Sequence, residues 1–306
     1  MRHRIPLPDE LGHHFTLRQA EAAGIGRHRA SARDLERPFH GVRSITAPAT
    51  PLQRVAALAP RLRQGQLIGG ETAMRMWGCP HPGLWDIDDP LIVVVTTGSA
   101  RIRSRGIIGR RLADGRARTW HIGDIPIVDP VTALFMCAGA LSSDEIVVAI
   151  DALITASDNY PGLRTGRPRL TVTDIEHHLR LWGRFPGSRR VRDALPRARD
   201  GVESPKETET RLLIVDGGFP EPEVQYEIRE GGRLVARTDL AYPDLRITIE
   251  YEGDGHRTSR TQWRRDIQRQ RELEDLGWIV IRVTQLDLAE RGRSLLDRIR
   301  RAIASR

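Results

Sequence analysis

Lysine is almost absent from this chain of 306 residues, because Lys206 is the only one. The other strongly basic side chains are arginines, and the formal net charge is +8 with histidine counted as neutral. A basic surplus attracts polyanions, of which nucleic acid is the commonest. An arginine bias also arises from coding composition, so charge alone does not decide whether nucleic acid is the partner.

Cysteines, aromatic residues and long apolar runs are scarce as well. The two cysteines, Cys79 and Cys137, lack metal-ligand spacing, which argues against a disulfide framework and against a zinc site. Aromatic residues make up 5% of the chain, and no base-stacking platform for RNA is evident. No apolar run reaches the roughly 18 residues of a membrane span, and no usual signal peptide precedes Asp9. We therefore expect a cytoplasmic protein without a membrane partner.

Residues 1–50 have the pattern of a DNA-binding module. Residues 15–24 predict a short helix with Thr16 as its N-cap, and residues 25–35 predict a second, basic helix after a glycine turn. Residues 42–45 are a candidate wing strand. This is the layout of a winged helix-turn-helix, although any two short amphipathic helices produce a similar pattern.

Residues 51–200 predict a middle α+β domain. A β-branched run at 91–96 indicates a buried strand, and the alternation at 101–105 predicts a second strand with three arginines on one face. These arginines are Arg101, Arg103 and Arg105. They could contact phosphate or a partner, but an ordinary solvated strand face is the slightly favoured interpretation.

Residues 201–306 have the sharpest pattern in the chain. A helix is predicted to begin at Pro205, with Ser204 as its N-cap, and three strands follow it. A helix at 259–276, a buried strand at 278–283 and a closing helix complete the order. The whole chain is thus predicted to be a multidomain α/β protein whose C-terminal α/β core has a mixed central sheet.

Three acids, Asp239, Glu250 and Glu252, are predicted to converge on one hairpin. Glu250 and Glu252 are two residues apart on a strand, so their side chains point the same way. If the hairpin closes on Pro243 and Asp244, Asp239 lies opposite Thr248 and shares that face. The alternative is an edge-strand polar face whose acids are paired with arginines.

A cluster of like charges is costly without a cation, because neighbouring carboxylates raise each other's pKa. A hard divalent ion prefers oxygen ligands, so Mg²⁺ is the expected occupant, with Mn²⁺ as a possible substitute. It would activate a water molecule and neutralise charge on a scissile phosphate. Asp239 and Glu250 are the predicted metal ligands.

The residues around these acids resemble a known family. The similar segments are 237–256, 264–269 and 277–284. They look like a bacterial domain of unknown function related to very-short-patch-repair endonucleases, over roughly residues 203–284. The resemblance implies a restriction-endonuclease-like core of the PD-(D/E)XK superfamily.

By this resemblance, Asp239 is the strand aspartate and Glu250 is the metal-binding acid of the family. Glu207 matches the acid of the first helix, with Glu209 as the alternative. The mismatch specificity and the structural zinc site of the repair enzyme do not carry over to this chain.

The chain departs from the superfamily at Glu252, which falls where the superfamily places a lysine. Lys206 lies far away in sequence. His256 follows two glycines and is a candidate general base or phosphate contact, although a lone loop histidine is usually just solvated. Base chemistry would come from His256, from water, or would be absent.

The N-terminal half is more loosely similar to AbiEi-type antitoxins of type IV toxin–antitoxin systems. The matching pieces are residues 15–35, 38–42 and 72–77. The resemblance implies a winged helix that binds DNA, followed by a middle domain of the same family. The phosphate contacts would be Arg27, Arg29 and Arg33.

Two functions follow as expectations. The first is a DNA-binding protein whose Mg²⁺-dependent endonuclease-like domain hydrolyses phosphodiester bonds. The second is an antitoxin-like transcriptional regulator with a catalytically silent nuclease fold, with a toxin or a second copy of the chain as a further partner. An RNA-directed enzyme ranks lower because of the few aromatic residues.

Overall fold

A computed structural model describes most of the chain. The described residues are 6–96, 98–253, 260–289 and 292–306. They form two compact units. Unit 1 comprises residues 1–141 and 177–188, and unit 2 comprises residues 142–176 and 189–306. The domain boundaries predicted at about residues 50 and 200 come from sequence patterns, whereas the two units are defined by contacts between residues. The predicted boundaries stay a prediction.

The N-terminal part of unit 1 combines two strands and two short helices. In order these are β1 (His14–Thr16), α1 (Leu17–Ala22), α2 (Arg27–Ala30) and β2 (Val42–Ser44). Thr16 caps α1 as predicted, through a capping box in which it and Gln19 satisfy each other's backbone N–H groups. β1 and β2 pair antiparallel, with Phe15 opposite Arg43.

The second predicted helix is much shorter than the expected span of 25–35, because α2 has only four residues. The Arg43 side chain donates from Nε to the Ala30 carbonyl at 2.6 Å. In a longer helix this carbonyl would accept the N–H of Asp34. A basic residue of β2 therefore ends α2 after one turn.

The rest of unit 1 contains a five-stranded mixed sheet. Its elements are α3 (Pro51–Leu58), β3 (Gln66–Ile68), α4 (Gly70–Met76), β4 (Leu91–Val95), β5 (Ile107–Arg111), β6 (Thr119–Ile122), β7 (Ile125–Val128) and α5 (Pro130–Cys137). The strand order is β5-β4-β3-β7-β6. The strand expected at 91–96 is confirmed as β4. The strand expected at 101–105 is wrong, because that segment is a loop before the true strand β5.

Unit 2 holds the elements predicted for the C-terminal region, together with one earlier helix and parts of two more. Its helices and strands are α6 (Ser143–Ile154), part of α7 (Val172–Trp182), most of α8 (Ser188–Ala194), α9 (Pro205–Asp216), β8 (Glu223–Glu230), β9 (Arg233–Tyr242), β10 (Ile247–Tyr251), α10 (Arg260–Asp275), β11 (Ile279–Val283), α11 (Gln285–Ala289) and α12 (Arg293–Ala304). The order of helix, three strands, helix and strand from α9 to β11 is as predicted. The predicted closing helix is divided into α11 and α12.

The sheet of unit 2 has the order β11-β10-β9-β8, and only β10 and β11 are parallel. One face packs a core that includes Ile214 of α9, Ile249 of β10 and Leu295 of α12. The opposite face packs Ile228 of β8 against Leu273 of α10. Helices on both faces protect a sheet whose strands alternate between the two cores.

The register of β9 and β10 differs from the predicted one. Thr248 lies opposite Ala241, not opposite Asp239. The hairpin does not close on two residues, because a 3-10 turn (Pro243–Leu245) is followed by Arg246 in the left-handed region at φ 48°. The longer connection shifts the pairing by two residues and leaves the facing of the side chains unchanged.

A buried ion pair joins α6 to α9. Arg211, which is 1% exposed, donates to Asp151 at 2.9 Å, and Asp151 also accepts from Thr208. Burial raises the pKa of Asp151, and the charge of Arg211 opposes this shift. The pair explains why residues 143–154 belong to the same compact unit as the C-terminal sheet.

Among the described residues, no helix combines the length and the apolar character needed to cross a membrane.

We predict that Arg211→Met destabilises unit 2 strongly, because it leaves the Asp151 carboxylate buried without its cation. The expected loss in the free energy of unfolding is about 3–5 kcal/mol. Urea unfolding measures it.

The matched control is Arg197→Met. Arg211 bridges the carboxylates of Asp151 and Glu221, and Arg197 likewise bridges two carboxylates, but those of Asp144 and Asp216 are each 55% exposed. Its loss should cost no more than about 1 kcal/mol. Equal losses in the two variants would contradict the assigned role of the buried pair.

Candidate functional site

Four polar side chains stand at one level across the sheet of unit 2. Glu250 of β10 pairs with Arg282 of β11. Leu240 of β9 lies opposite Ile249 of β10, so the next pair in the same register places Asp239 opposite Glu250. The pairs on either side of Gln225 in β8 place it opposite Asp239. The predicted convergence of Asp239 and Glu250 on one face is therefore found, by direct opposition rather than by diagonal proximity.

Asp239 is partly buried, and its pKa is raised. Its Oδ2 accepts a hydrogen bond from the Tyr251 N–H at 2.8 Å. Burial, then the charge of Glu207, and then that of Glu250 raise the pKa of Asp239 to about 7. The Tyr251 N–H and the Arg269 guanidinium oppose the rise. This is the behaviour of a carboxylate that shares its site with other carboxylates.

Glu207 approaches the same place from the first turn of α9. Its side chain is buried, and its Oε2 accepts from the Glu203 N–H and from Gln225 Nε2, both at 2.9 Å. Burial raises the pKa of Glu207 even though these hydrogen bonds stabilise its ionised form. The N-cap Ser204 begins α9 at this point and so fixes where the carboxyl emerges.

The structure separates Glu207 from its alternative, Glu209. Glu209 pairs with Lys206 at 2.6 Å, and both side chains are about one-third exposed. Of these two acids, Glu207 is the one whose charge raises the pKa of Asp239. The single lysine of the chain is therefore engaged outside the acidic cluster.

Glu250 has one satisfied and one unsatisfied oxygen. Its Oε2 accepts from Arg269 of α10 at 3.2 Å. Its Oε1 is buried without a hydrogen-bond partner among the described residues, and the side chain as a whole is 12% exposed. A buried carboxylate oxygen without a donor is unfavourable, so this atom marks a place where an additional donor or cation would bind.

Glu252 lies beyond the end of β10 and has a different set of partners. It forms an ion pair with Arg282, which also donates to Gln270 Oε1 at 2.7 Å. Its predicted role in catalysis stays a prediction, since an arginine already balances its charge. His256, the predicted base, lies outside the described residues.

Sequence reasoning missed three residues of the site: Gln225, Arg269 and Arg282. Gln225 has a φ of 51°, which is uncommon for a residue with a side chain. No sequence pattern marks this backbone conformation, so the place of Gln225 in the site was seen only in the structure. Arg269 had a readable signal, because it precedes the buried Leu273 by four residues and so shares its helix face. That face of α10 packs on the sheet.

The acids offer oxygen ligands but do not form a closed metal cage. Among the described parts of the chain, no three side chains of His, Cys, Asp or Glu are grouped closely enough to hold a metal ion. The unsatisfied Oε1 of Glu250 and the unusually basic Asp239 still fit a hard cation. Mg²⁺ keeps several waters and commonly binds through only one or two carboxylates.

The predicted phosphate contacts lie in unit 1, on and after α2. Arg27 and Arg33 are exposed, whereas Arg29 is paired with Asp34 at 3.2 Å. Two of the three arginines are therefore available to an outside ligand, and their contact with DNA stays a prediction.

Comparison with known proteins gives partial likenesses. No family model matches the chain. The uncharacterized proteins Rv2248 and MT2308, from strains H37Rv and CDC 1551 of Mycobacterium tuberculosis, are each 36% identical to it over 111 residues. The match covers 36% of this chain and 41% of each relative, so the chain spans less than half the length of these relatives.

One solved structure is also similar. It is the crystal structure of the RV2827C protein from Mycobacterium tuberculosis, at 14% identity and a TM-score of 0.38. The similarity covers 66% of this chain and 76% of that one. A likeness at this level assigns neither a fold family nor a function.

We predict a pH-dependent stability effect for Asp239→Asn. An unfolded aspartate ionises near pH 4, whereas folded Asp239 ionises near pH 7, so the fold loses stability as the pH rises through this window. Asparagine removes the titration and can still accept the Tyr251 N–H. As the pH rises from 5 to 8, the free energy of unfolding of the variant should increase by about 1–3 kcal/mol relative to that of the unmodified protein.

Urea unfolding at both pH values in the presence of EDTA measures this gain. Asp244→Asn serves as the control, because Asp244 is exposed in the hairpin turn. If the Asp239→Asn difference is the same at both pH values, the assigned electrostatic strain is absent.

Proposed function

We propose that this protein binds DNA and hydrolyses its phosphodiester bonds with a Mg²⁺-dependent centre in unit 2. The observation that carries the proposal is the meeting of Glu207, Asp239 and Glu250. The charges of Glu207 on a helix and Glu250 on the neighbouring strand raise the pKa of Asp239, and one buried oxygen of Glu250 has no hydrogen-bond donor among the described residues. A fold gains nothing in stability from such an arrangement, so a ligand is its natural explanation.

The topology of unit 2 supports the proposal. A helix, three antiparallel strands, a helix and a final parallel strand follow each other from α9 to β11. Asp239 and Glu250 stand on neighbouring central strands, as the resemblance to very-short-patch-repair-related domains of the PD-(D/E)XK superfamily requires. Glu207 comes from the preceding helix, as that resemblance also predicts.

In this function Asp239 and Glu250 would hold the Mg²⁺ ion. When bound, the ion supplies charge for the scissile phosphate and favours the ionised form of a coordinated water. Glu207, fixed by Gln225 and the Glu203 N–H, adds negative charge beside Asp239. Cation binding would return the pKa of Asp239 towards its ordinary value.

Arg269 supplies positive charge at the cluster in place of the missing lysine. It donates to Glu250 and lowers the pKa of Asp239, so it holds these acids together before any ligand arrives. A guanidinium can also bind a phosphate oxygen. The proton acceptor for the attacking water would be His256 or a second water.

We predict Mg²⁺-dependent nicking of plasmid DNA by the purified protein. Asp239→Asn and Glu250→Gln should each lower the initial rate by at least about 100-fold, because removal of a metal ligand takes away several kcal/mol of transition-state stabilisation. Gel quantification of nicked and supercoiled plasmid at matched protein concentration gives the rates.

Glu209→Gln is the matched control. It removes the same charge from the same helix, at a surface position paired with Lys206. Its rate should stay close to that of the unmodified protein. Equal nicking by all four proteins would point to a contaminating nuclease and remove the assignment.

A second candidate function is an antitoxin-like regulator whose nuclease fold is silent. The observation that favours it is the internal balance of charge, since Arg269 pairs with Glu250 and Arg282 pairs with Glu252. Its DNA contacts would come from Arg27, Arg29 and Arg33, and a toxin or a second copy of the chain would be the further partner. This protein would bind DNA without cutting it.

Calorimetry separates the two functions. A regulator should bind DNA from its own promoter tightly and with strong salt dependence, yet give no heat on titration with Mg²⁺. A nuclease should bind Mg²⁺, and Asp239→Asn should abolish that heat. Plasmid nicking together with Mg²⁺ binding would exclude the silent regulator.

A further inference from the structure

A second concentration of positive charge lies in unit 1, far along the chain from the predicted winged helix. Between Leu91 and Ala113 the sequence contains no aspartate or glutamate. The same stretch carries five arginines: Arg101, Arg103, Arg105, Arg110 and Arg111. Neither the acidic cluster nor the predicted winged helix uses them.

The fold brings the two groups of arginines side by side. Arg110 and Arg111 end β5, which is an edge strand paired only with β4. The preceding loop folds back on β5 at Gly109. A Cβ on Gly109 would lie 2.6 Å from the Ile102 carbonyl oxygen and 3.3 Å from Cβ of Arg101. Only glycine permits this close approach of the two segments.

Hydrogen bonds fix the loop in place. Ile107 donates its N–H to the Ser104 carbonyl at 3.1 Å, and Arg61 donates to Ser104 Oγ at 2.8 Å. Leu91 of β4 donates to the Gly106 carbonyl at 3.0 Å. The loop arginines are thus displayed from an ordered backbone, which lowers the entropy cost when a ligand binds.

The five side chains are exposed, and no carboxylate in the described part of the chain balances their charges. Among the described residues, none of them forms an ion pair with a carboxylate, and Arg111 donates only to the Ser99 carbonyl. Nearby, burial and the charge of Arg63 lower the pKa of Arg61. Many arginines elsewhere in the described chain are paired with acids, as Arg229 is with Glu227 in unit 2.

Protection of a strand edge does not require this much charge. One or two charged side chains suffice to stop an edge from pairing with another chain. Five uncompensated guanidinium groups on two adjacent segments repel each other, and a polyanion relieves that repulsion. Phosphate groups also accept hydrogen bonds from the planar guanidinium group.

We propose that the 101–105 loop and the end of β5 form a binding surface for the phosphate backbone of duplex DNA. The surface reads charge and not sequence, because its contacts are guanidinium groups rather than base-reading elements in a groove. It is a binding function of unit 1 and does not depend on hydrolysis by the acidic cluster.

The test measures binding of the full-length protein to a mixed-sequence DNA duplex in EDTA, so that no cutting occurs. The triple variant Arg101→Gln, Arg103→Gln and Arg105→Gln should bind at least about tenfold more weakly. The salt slope should fall by about one for each phosphate that is no longer neutralised. Adding Arg110→Gln and Arg111→Gln should weaken binding further. Circular dichroism confirms that these exposed substitutions leave the fold intact.

A charge-matched control uses three exposed arginines of unit 2 that are paired with acids. These are Arg229, Arg233 and Arg300, each changed to Gln. The affinity of the control should fall by less than about threefold, because its charges were already neutralised. Equal decreases in affinity in both triple variants would show that only the net charge of the protein matters, and would overturn the proposed surface.

A duplex RNA of the same sequence forms the second arm. Loss of RNA binding with DNA binding retained would also overturn the proposal, since the surface would then serve a different polymer. Because every arm is run without metal, failure of the proposed nuclease activity leaves this result unaffected, and a failure here leaves the nuclease proposal unaffected.

Discussion

The register between β9 and β10 is the constraint on which the candidate site depends. Arg246 holds a left-handed conformation, and its backbone carbonyl accepts from the Ile279 N–H while its side chain donates to the Leu276 carbonyl. These contacts fix the length of the hairpin connection. A slip of the register by one residue would turn Asp239 to the opposite face from Glu250. It would also expose the apolar residues that alternate with these acids along β9 and β10. Hydrophobic burial on one face therefore enforces the arrangement of acids on the other.

The acidic cluster is held in a balance between repulsion and compensation. Burial and neighbouring carboxylates favour a proton on Asp239, while the Tyr251 N–H and Arg269 favour its ionised form. The result is a group that ionises near neutral pH, where a modest change in local charge alters its state. An outside cation would act on this balance directly, which is why a hard metal ion and the acidic cluster suit each other.

The arginines of this chain have three distinct structural uses, which the net charge conceals. Arg43 and Arg211 are buried and satisfy backbone or carboxylate groups inside their units. Arg269 and Arg282 compensate acids at the candidate site. The arginines around β5 face solvent without a carboxylate partner among the described residues. These exposed arginines, like the exposed Arg27 and Arg33, are available to a polyanion, so the location of the positive charge is more informative than its total.

Local signals in the sequence determined the order of elements from α9 to β11, the cap of α1 and the choice of Asp239 and Glu250 as site candidates, whereas Glu207 was identified by the family resemblance. Caps and strand alternation depend on near neighbours, and a sequence displays these directly. Tertiary structure decided the short length of α2, the register between β9 and β10, and the roles of Gln225 and Arg269 in the candidate site. Each depends on a contact between residues distant in sequence, and no local pattern records which distant group arrives.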